Sequence, residues 1–193
     1  AGLTGGADLE TDTALRARLL NRIQAPPQGG APADYRRWLL ELPGVTRAYV
    51  YPNRMGPGTV GLTFLVDGAD YGPIPSAADL AAAVAYLEET DDTGYPFRRP
   101  VTAAVHVFAL TPAPLDFEIR LTPDTATVRA AVAAELADLI QREAEPEGGL
   151  LISHVREAIS SAAGEVDHNV ISPLADVAAD AGEIITMGAI TWS

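Results

Sequence analysis

The sequence contains no cysteine and no lysine; all 13 of its basic residues are arginine. Without cysteine there is no disulfide, no thiolate nucleophile and no sulfur-ligated zinc site. Without lysine there is no Schiff-base chemistry and no lysine to hold a nucleotide phosphate. Aromatic residues are also sparse, at 6% of 193. No apolar run approaches the roughly 20 residues needed to cross a bilayer. The longest candidate, Val101 to Leu110, reads as a strand. Positive charge is scarce as well: 26 acidic residues leave a net charge of −13. That sign argues against nucleic acid and against an anionic membrane surface as partners.

What is present is an ordinary globular composition, 48% hydrophobic and 20% charged. A chain of this length forms one domain or two small ones and holds a core without staples. The opening Ala1–Gly6 reads as the middle of a longer protein.

Periodicity divides the chain. Asp8, Glu10 and Asp12 precede Leu15, Leu19 and Ile23, spaced four apart, and acid-first order suits a helix dipole. Pro26-Pro27 stops that helix, and Gly29-Gly30 leads to a second with Tyr35, Trp38, Leu39 and Leu42 on one face. Residues 1–44 are therefore expected to be a helical pair, a docking arm. From Val45 the period changes to two. Val45–Tyr51 and Thr59–Val66 read as a hairpin around a turn-rich loop. Ser76 and Asp79 open a helix carrying Leu80, Val84 and Leu87, and its acidic end at Glu88, Glu89, Asp91 and Asp92 is expected to fray. Val101–Leu110 and Leu115–Leu121 read as strands joined around Thr111-Pro112-Ala113-Pro114. Thr122-Pro123-Asp124 starts a long helix with Val128, Val132, Leu136 and Leu139 on one side, and Ser153 is the expected cap of a shorter one. Val166–Ser172 and Glu183–Trp192 are the last strands. The expected class is α+β: an N-terminal helical pair, then mixed sheet with helices packed on one face. Residues 45–193 form the α+β part, in two strand–helix–strand subdomains, 45–111 and 112–193.

Each motif that could carry chemistry has a plainer reading. Gly56-Pro57-Gly58-Thr59-Val60-Gly61 spells a dinucleotide fingerprint, but it runs into a strand instead of opening a helix, and proline removes an amide donor. A hairpin loop explains it. Asp92-Thr93-Gly94 spells the aspartic-protease triplet, yet lies among acids at a helix end. His106, His154 and Asp167-His168 show no ligand spacing. Ser153, Ser160 and Ser161 lack a nucleophile elbow. Arg98-Arg99 reads as a solvated loop before a strand. No catalytic, cofactor-binding or metal-ligating residue is assigned. The large aromatics Tyr35, Trp38, Tyr49, Tyr51 and Trp192 read as core or interface residues, and Tyr35, Trp38, Leu39 and Trp192 are the candidate interface set.

The order of short motifs resembles a known family. Gly2-Leu3-Thr4-Gly5-Gly6-Ala7-Asp8, Glu10-Thr11-Asp12 and Ala14–Leu20 are similar to the baseplate protein J-like family of contractile-tail phages. So are Pro26-Pro27-Gln28-Gly29-Gly30, Asp34-Tyr35, Pro43-Gly44-Val45, Tyr51-Pro52 and Gly56–Val60. Arg99-Pro100-Val101-Thr102, Val155–Ile159, Asp167-His168 and Ile190-Thr191-Trp192 continue the series. The resemblance implies a structural, non-enzymatic wedge component of a phage or prophage baseplate, or of a related injection machine, with no cofactor. It implies contacts with another copy of itself, with a partner baseplate protein and with the hub. It places the protein in the virion tail baseplate, and in the host cytoplasm during assembly. It also implies a family N-terminal part before Leu3. A receptor- or carbohydrate-binding tail module and a carboxylate/His hydrolase are the competing readings.

Overall fold

The computed structural model describes residues 11–24, 28–70 and 72–193. Asp8, Glu10 and Pro26-Pro27 lie outside the described residues. Helix α1 spans Asp12–Gln24, with Asp12 in its first turn. Helix α2, Pro32–Leu40, begins on a proline, which needs no N–H partner at that position. It packs on strand β1, Arg47–Pro52. Strand β1 pairs antiparallel with β2, Thr59–Leu65, as the expected hairpin. Helix α3, Ala77–Leu87, then crosses to strand β3, Ala104–Val107, which lies parallel to β2. The Ser76–Asp79 capping box forms as expected.

The second half begins at β4, Thr111–Thr122. Helix α4, Ala126–Glu143, and helix α5, Ile152–Ser161, lead to β6, Asp167–Ser172. Strand β8, Glu183–Trp192, ends the fold. Two short strands, β5 (Gly149–Leu150) and β7 (Val177–Ala178), pair with each other. The principal sheets are β1-β2-β3 and β6-β4-β8. The class is α+β.

Three sequence expectations need correcting. The run Val101–Leu110 supplies only four strand residues, and Thr111–Pro114 is the start of β4 instead of a turn. Strands β3 and β4 therefore fall in different sheets, with no hairpin between them. The prolines fit for a specific reason. Thr111 N–H donates to Gly182 O at 3.0 Å, so alternate amides at 111, 113 and 115 face β8. Positions 112 and 114 face the other flank, where β6 pairs only from Glu118 onward. Proline's missing N–H costs nothing there. Finally, Ser153 does not cap α5. The helix starts one residue earlier, and Ile152 N–H donates to Asp176 Oδ1 at 2.9 Å.

Each sheet has its own core. Tyr35, Trp38, Leu39, Ala48, Leu62, Phe64, Val66, Ala83 and Leu87 are buried between α2, α3 and the first sheet. Phe117, Ile119, Leu121, Val132, Leu136, Ile159, Ile184 and Ile185 are buried between α4, α5 and the second. Each fully buried valine, leucine, isoleucine or phenylalanine among them stabilises by about 1.5–3 kcal/mol. Leu65, at the end of β2, packs into the second core and joins the two.

Candidate functional site

The loop from β1 to β2 holds the glycine-rich motif. Asn53 N–H donates to Thr59 O at 2.8 Å, and Thr59 N–H to Gly56 O at 3.2 Å, so the segment closes a hairpin. The amides of Asn53, Met55, Gly56 and Thr59 are all taken up by acceptors inside the loop. The Asp92-Thr93-Gly94 triplet is a turn built by its neighbour. Thr93 N–H donates to Asp91 Oδ1 at 2.8 Å, and Tyr95 N–H to the same oxygen at 3.3 Å. The Thr93 hydroxyl and these amides hold the Asp91 carboxyl below the usual aspartate range.

The arginine pair is already neutralised. Arg98 pairs with Glu89 and stacks over the Tyr86 ring at 3.6 Å; Arg99 pairs with Glu88 and donates to Ala103 O at 2.7 Å. Two of the four acids expected to fray the end of α3, Glu88 and Glu89, are consumed here. They sit against arginine cations, which removes their clash with the helix dipole.

The histidines stay apart. His106 is exposed on β3. His154, at the start of α5, pairs with Glu143 at the end of α4, 2.6 Å away. The Glu143 hydrogen bond raises the His154 pKa above its ordinary value. His168 pairs with Glu165 at 2.9 Å. Among the described residues no group of three or more His, Asp or Glu side chains could hold a metal ion. No described helix is long and apolar enough to cross a membrane. A cavity of about 60 Å³ lies between Gly30, Pro32, Tyr35, Val50, Pro52 and Val60. Small-molecule sites occupy roughly 300–1,000 Å³, so this one is too small for a substrate.

The candidate interface residues divide. Tyr35 is 1% exposed, Trp38 8% and Leu39 0%. Tyr35 and Trp38 meet edge-on, with ring centroids 5.1 Å apart. These three side chains spend their surface on the chain's own core, leaving little for a neighbour. Trp192 is half-buried at the end of β8, with the Arg129 guanidinium 5.7 Å from its ring centroid.

Asp34 organises the entry to α2, and sequence reading gave it no structural role. Its Oδ2 accepts from the N–H groups of Gln28 at 2.9 Å, Gly30 at 3.0 Å and Ala31 at 3.3 Å, while Oδ1 takes Arg37 at 3.0 Å. Burial alone would raise its pKa; the amides of Gly30, Gln28 and Ala31 and the Arg37 charge outweigh that and leave it lowered. An acid at the third position of a proline-started helix was the available signal.

Apolar side chains remain at the surface. Leu15, Leu19, Leu20 and Ile23 are exposed on α1, and Tyr95, Phe97 and Val101 on the loop between α3 and β3. Aromatic and aliphatic side chains of this kind are available for protein–protein contact.

The comparisons with known proteins agree with that geometry. The Baseplate J-like central domain matches residues 27–109, and the Baseplate J-like protein C-terminal domain matches 115–193. The Mu-like prophage FluMu protein gp47 of Haemophilus influenzae is 41% identical over 193 residues, covering 98% of this chain and 54% of the relative. JayE of Escherichia coli (strain K12) is 38% identical over 192 residues, covering 99% of this chain and 70% of the relative. Baseplate protein gp47 of Escherichia phage Mu is 35% identical over 193 residues, covering 99% of this chain and 53% of the relative. The chain thus spans about half the length of the two gp47 relatives. With both domain models matched in order along most of its length, the chain belongs to the baseplate J-like family.

Proposed function

We propose that this protein is a structural component of a phage or prophage tail baseplate, forming its wedge through contacts with another copy of itself, with a partner baseplate protein and with the hub. The observation that carries this reading is family membership over both domains. The relative from phage Mu is itself named a baseplate protein. One feature of the molecule supports it. Exposed apolar side chains are available on α1 and on the α3–β3 loop.

Mechanism in this reading is mechanical. Subunit contacts hold the wedge in one arrangement, and their rearrangement passes a signal to the tail. Of the helical pair expected as a docking arm in residues 1–44, α2 is spent on the chain's own core, and α1 is the part that serves it, through exposed Leu15, Leu19 and Ile23. The protein acts in the virion tail baseplate and passes through the host cytoplasm during assembly.

The test is genetic and visual. Deleting the gene in its phage or prophage and imaging the particles by electron microscopy should give tails without baseplates. A tagged copy should restore them and co-purify in the particle. Complete baseplates assembled without the protein would overturn the reading.

A further inference from the structure

The free edge of β8 is unlike the other principal sheet edges of the described fold. Strand β1 carries Arg47 and Pro52, β3 is four residues long, and β6 begins Asp167-His168 and runs into Pro173. Charge, proline, brevity and bulges are the devices that keep sheet edges from pairing with another chain. Of these, strand β8 has Glu183 at its start and a single bulge. It is 10 residues long, lacks proline, and carries no charge from Ile184 to Ser193. Its first residue is covered, because Glu147 N–H donates to Glu183 O at 2.9 Å. The stretch from Thr186 to Trp192 is partly or fully exposed, with β4 on one side and, among the described residues, no strand on the other.

A bulge sits in the middle of that stretch. Pairing with β4 passes from Leu115↔Met187 to Phe117↔Ile190, so Gly188 and Ala189 together oppose Asp116. Asp116 Oδ1 accepts from Ala189 N–H at 2.7 Å. A Cβ at Gly188 would lie 2.3 Å from Asp116 Oδ1 and 2.6 Å from Leu115 O, so only glycine fits. The bulge is therefore fixed by side chain and backbone together.

Its consequence is a change of parity. Leu115 and Phe117 share a face of β4, so Met187 and Ile190 share a face of β8 although they are three apart. Thr186 and Thr191, opposite Pro114 and Glu118, share the other face. Two copies of a regular strand related by a two-fold axis can pair only in registers where facing residue numbers sum to an even value, because the axis preserves each residue's face. The bulge permits the odd register centred between Gly188 and Ala189. In that register Met187 meets Ile190 of a second copy, and Thr186 meets Thr191. Apolar faces apolar and hydroxyl faces hydroxyl, the pairs that stabilise antiparallel strands.

We propose that the β8 edge is a self-association surface: two copies of the chain pair antiparallel through Thr186–Thr191 about a two-fold axis at the bulge, joining their second sheets into one. A second copy is the occupant because the segment is complementary to itself: Met187 and Ile190 share one face and Thr186 and Thr191 the other, in the order a two-fold axis at the bulge requires. The inference rests on the assembly reading above and names the surface that reading leaves open.

The test uses the absence of native cysteine. Met187→Cys and Ile190→Cys are made as separate variants, one carrying a mass tag, and mixed under mild oxidation. Facing residues in an antiparallel pair lie within disulfide range. The mixture should give a disulfide-linked heterodimer, and each variant alone at least tenfold less product. In parallel, sedimentation equilibrium compares the parent chain with two double variants. Thr186→Glu with Thr191→Glu should weaken the dimer about tenfold or more, and Thr186→Glu with Thr191→Lys should restore it, with thermal melts checking that each folds. A dimer without the cross-link, or one indifferent to these charges, overturns this surface and leaves self-assembly through another. A chain that stays monomeric at every concentration overturns the proposal, while the particle-imaging experiment decides the baseplate reading separately.

Discussion

Arg47 and Asp67 join the ends of the β1–β2 hairpin and tie them to the second half of the chain. Arg47 Nε lies 2.9 Å and Nη2 2.6 Å from the two oxygens of Asp67, and Nη1 donates to Ala144 O at 2.6 Å, just past the end of α4. One guanidinium thus satisfies a carboxylate and a helix-terminal carbonyl at once, which its planar fork allows.

Replacing Arg47 with alanine leaves the Asp67 carboxylate, whose side chain is 6% exposed, without its cation and with the Thr46 hydroxyl as its remaining donor. The expected loss is about 2–3 kcal/mol in urea unfolding, at or below the bottom of the range for breaking a buried pair because Arg47 keeps some solvent contact and Asp67 keeps Thr46. Arg47→Lys should recover less than half, since an ammonium cannot span both oxygens and the carbonyl.

Asp34→Ala should cost about 3 kcal/mol, because it leaves three backbone N–H groups and Arg37 without their acceptor. The folded carboxyl titrates below its unfolded value near 3.9. Its contribution is therefore present above that value and lost as pH falls through the lower, folded one. Acid unfolding curves should show a shallower stability loss below about pH 4 in Asp34→Asn than in the parent.

His154 works in the opposite sense. Its folded pKa is raised by Glu143, so the tie between α4 and α5 is fully present below about pH 6.5 and is lost as pH rises through the folded value. Stability measured from pH 6 to 9 should decline in the parent, and that component should vanish in His154→Ala.

Thr63 lies in β2 at 0% exposure, and its hydroxyl finds no protein partner. Thr63→Val keeps the shape and the β-branching while removing the buried hydroxyl. It should raise stability by about 1 kcal/mol. An equal or larger loss in chemical denaturation would show that the hydroxyl is satisfied.

Local chemistry was legible where it is written in adjacent residues. The Ser76–Asp79 box and the hairpin around Gly56–Gly58 depend on near neighbours, and the structure has both. The apolar stripe Val128, Val132, Leu136 and Leu139 was legible too, and all four are buried in α4. The family resemblance came from the same source, a series of short motifs in order. The start of β4 was misread because Pro112 and Pro114 signal a turn locally, and only the one-sided pairing with β8 makes them acceptable in a strand. The cap on α5 comes from Asp176, a loop residue far along the chain. Tyr35, Trp38 and Leu39 read as core or interface residues, and α2 turns them onto β1 and β2.

By itself, the sequence determined the class of the fold, its helices and most of its strands, and its family, because periodicity, caps and short motifs are local. Tertiary structure decided which apolar faces meet within the chain, which arginines are neutralised, and where β8 is left open. Those outcomes depend on contacts between residues far apart in the chain, and no local pattern records which distant partner will cover a given surface.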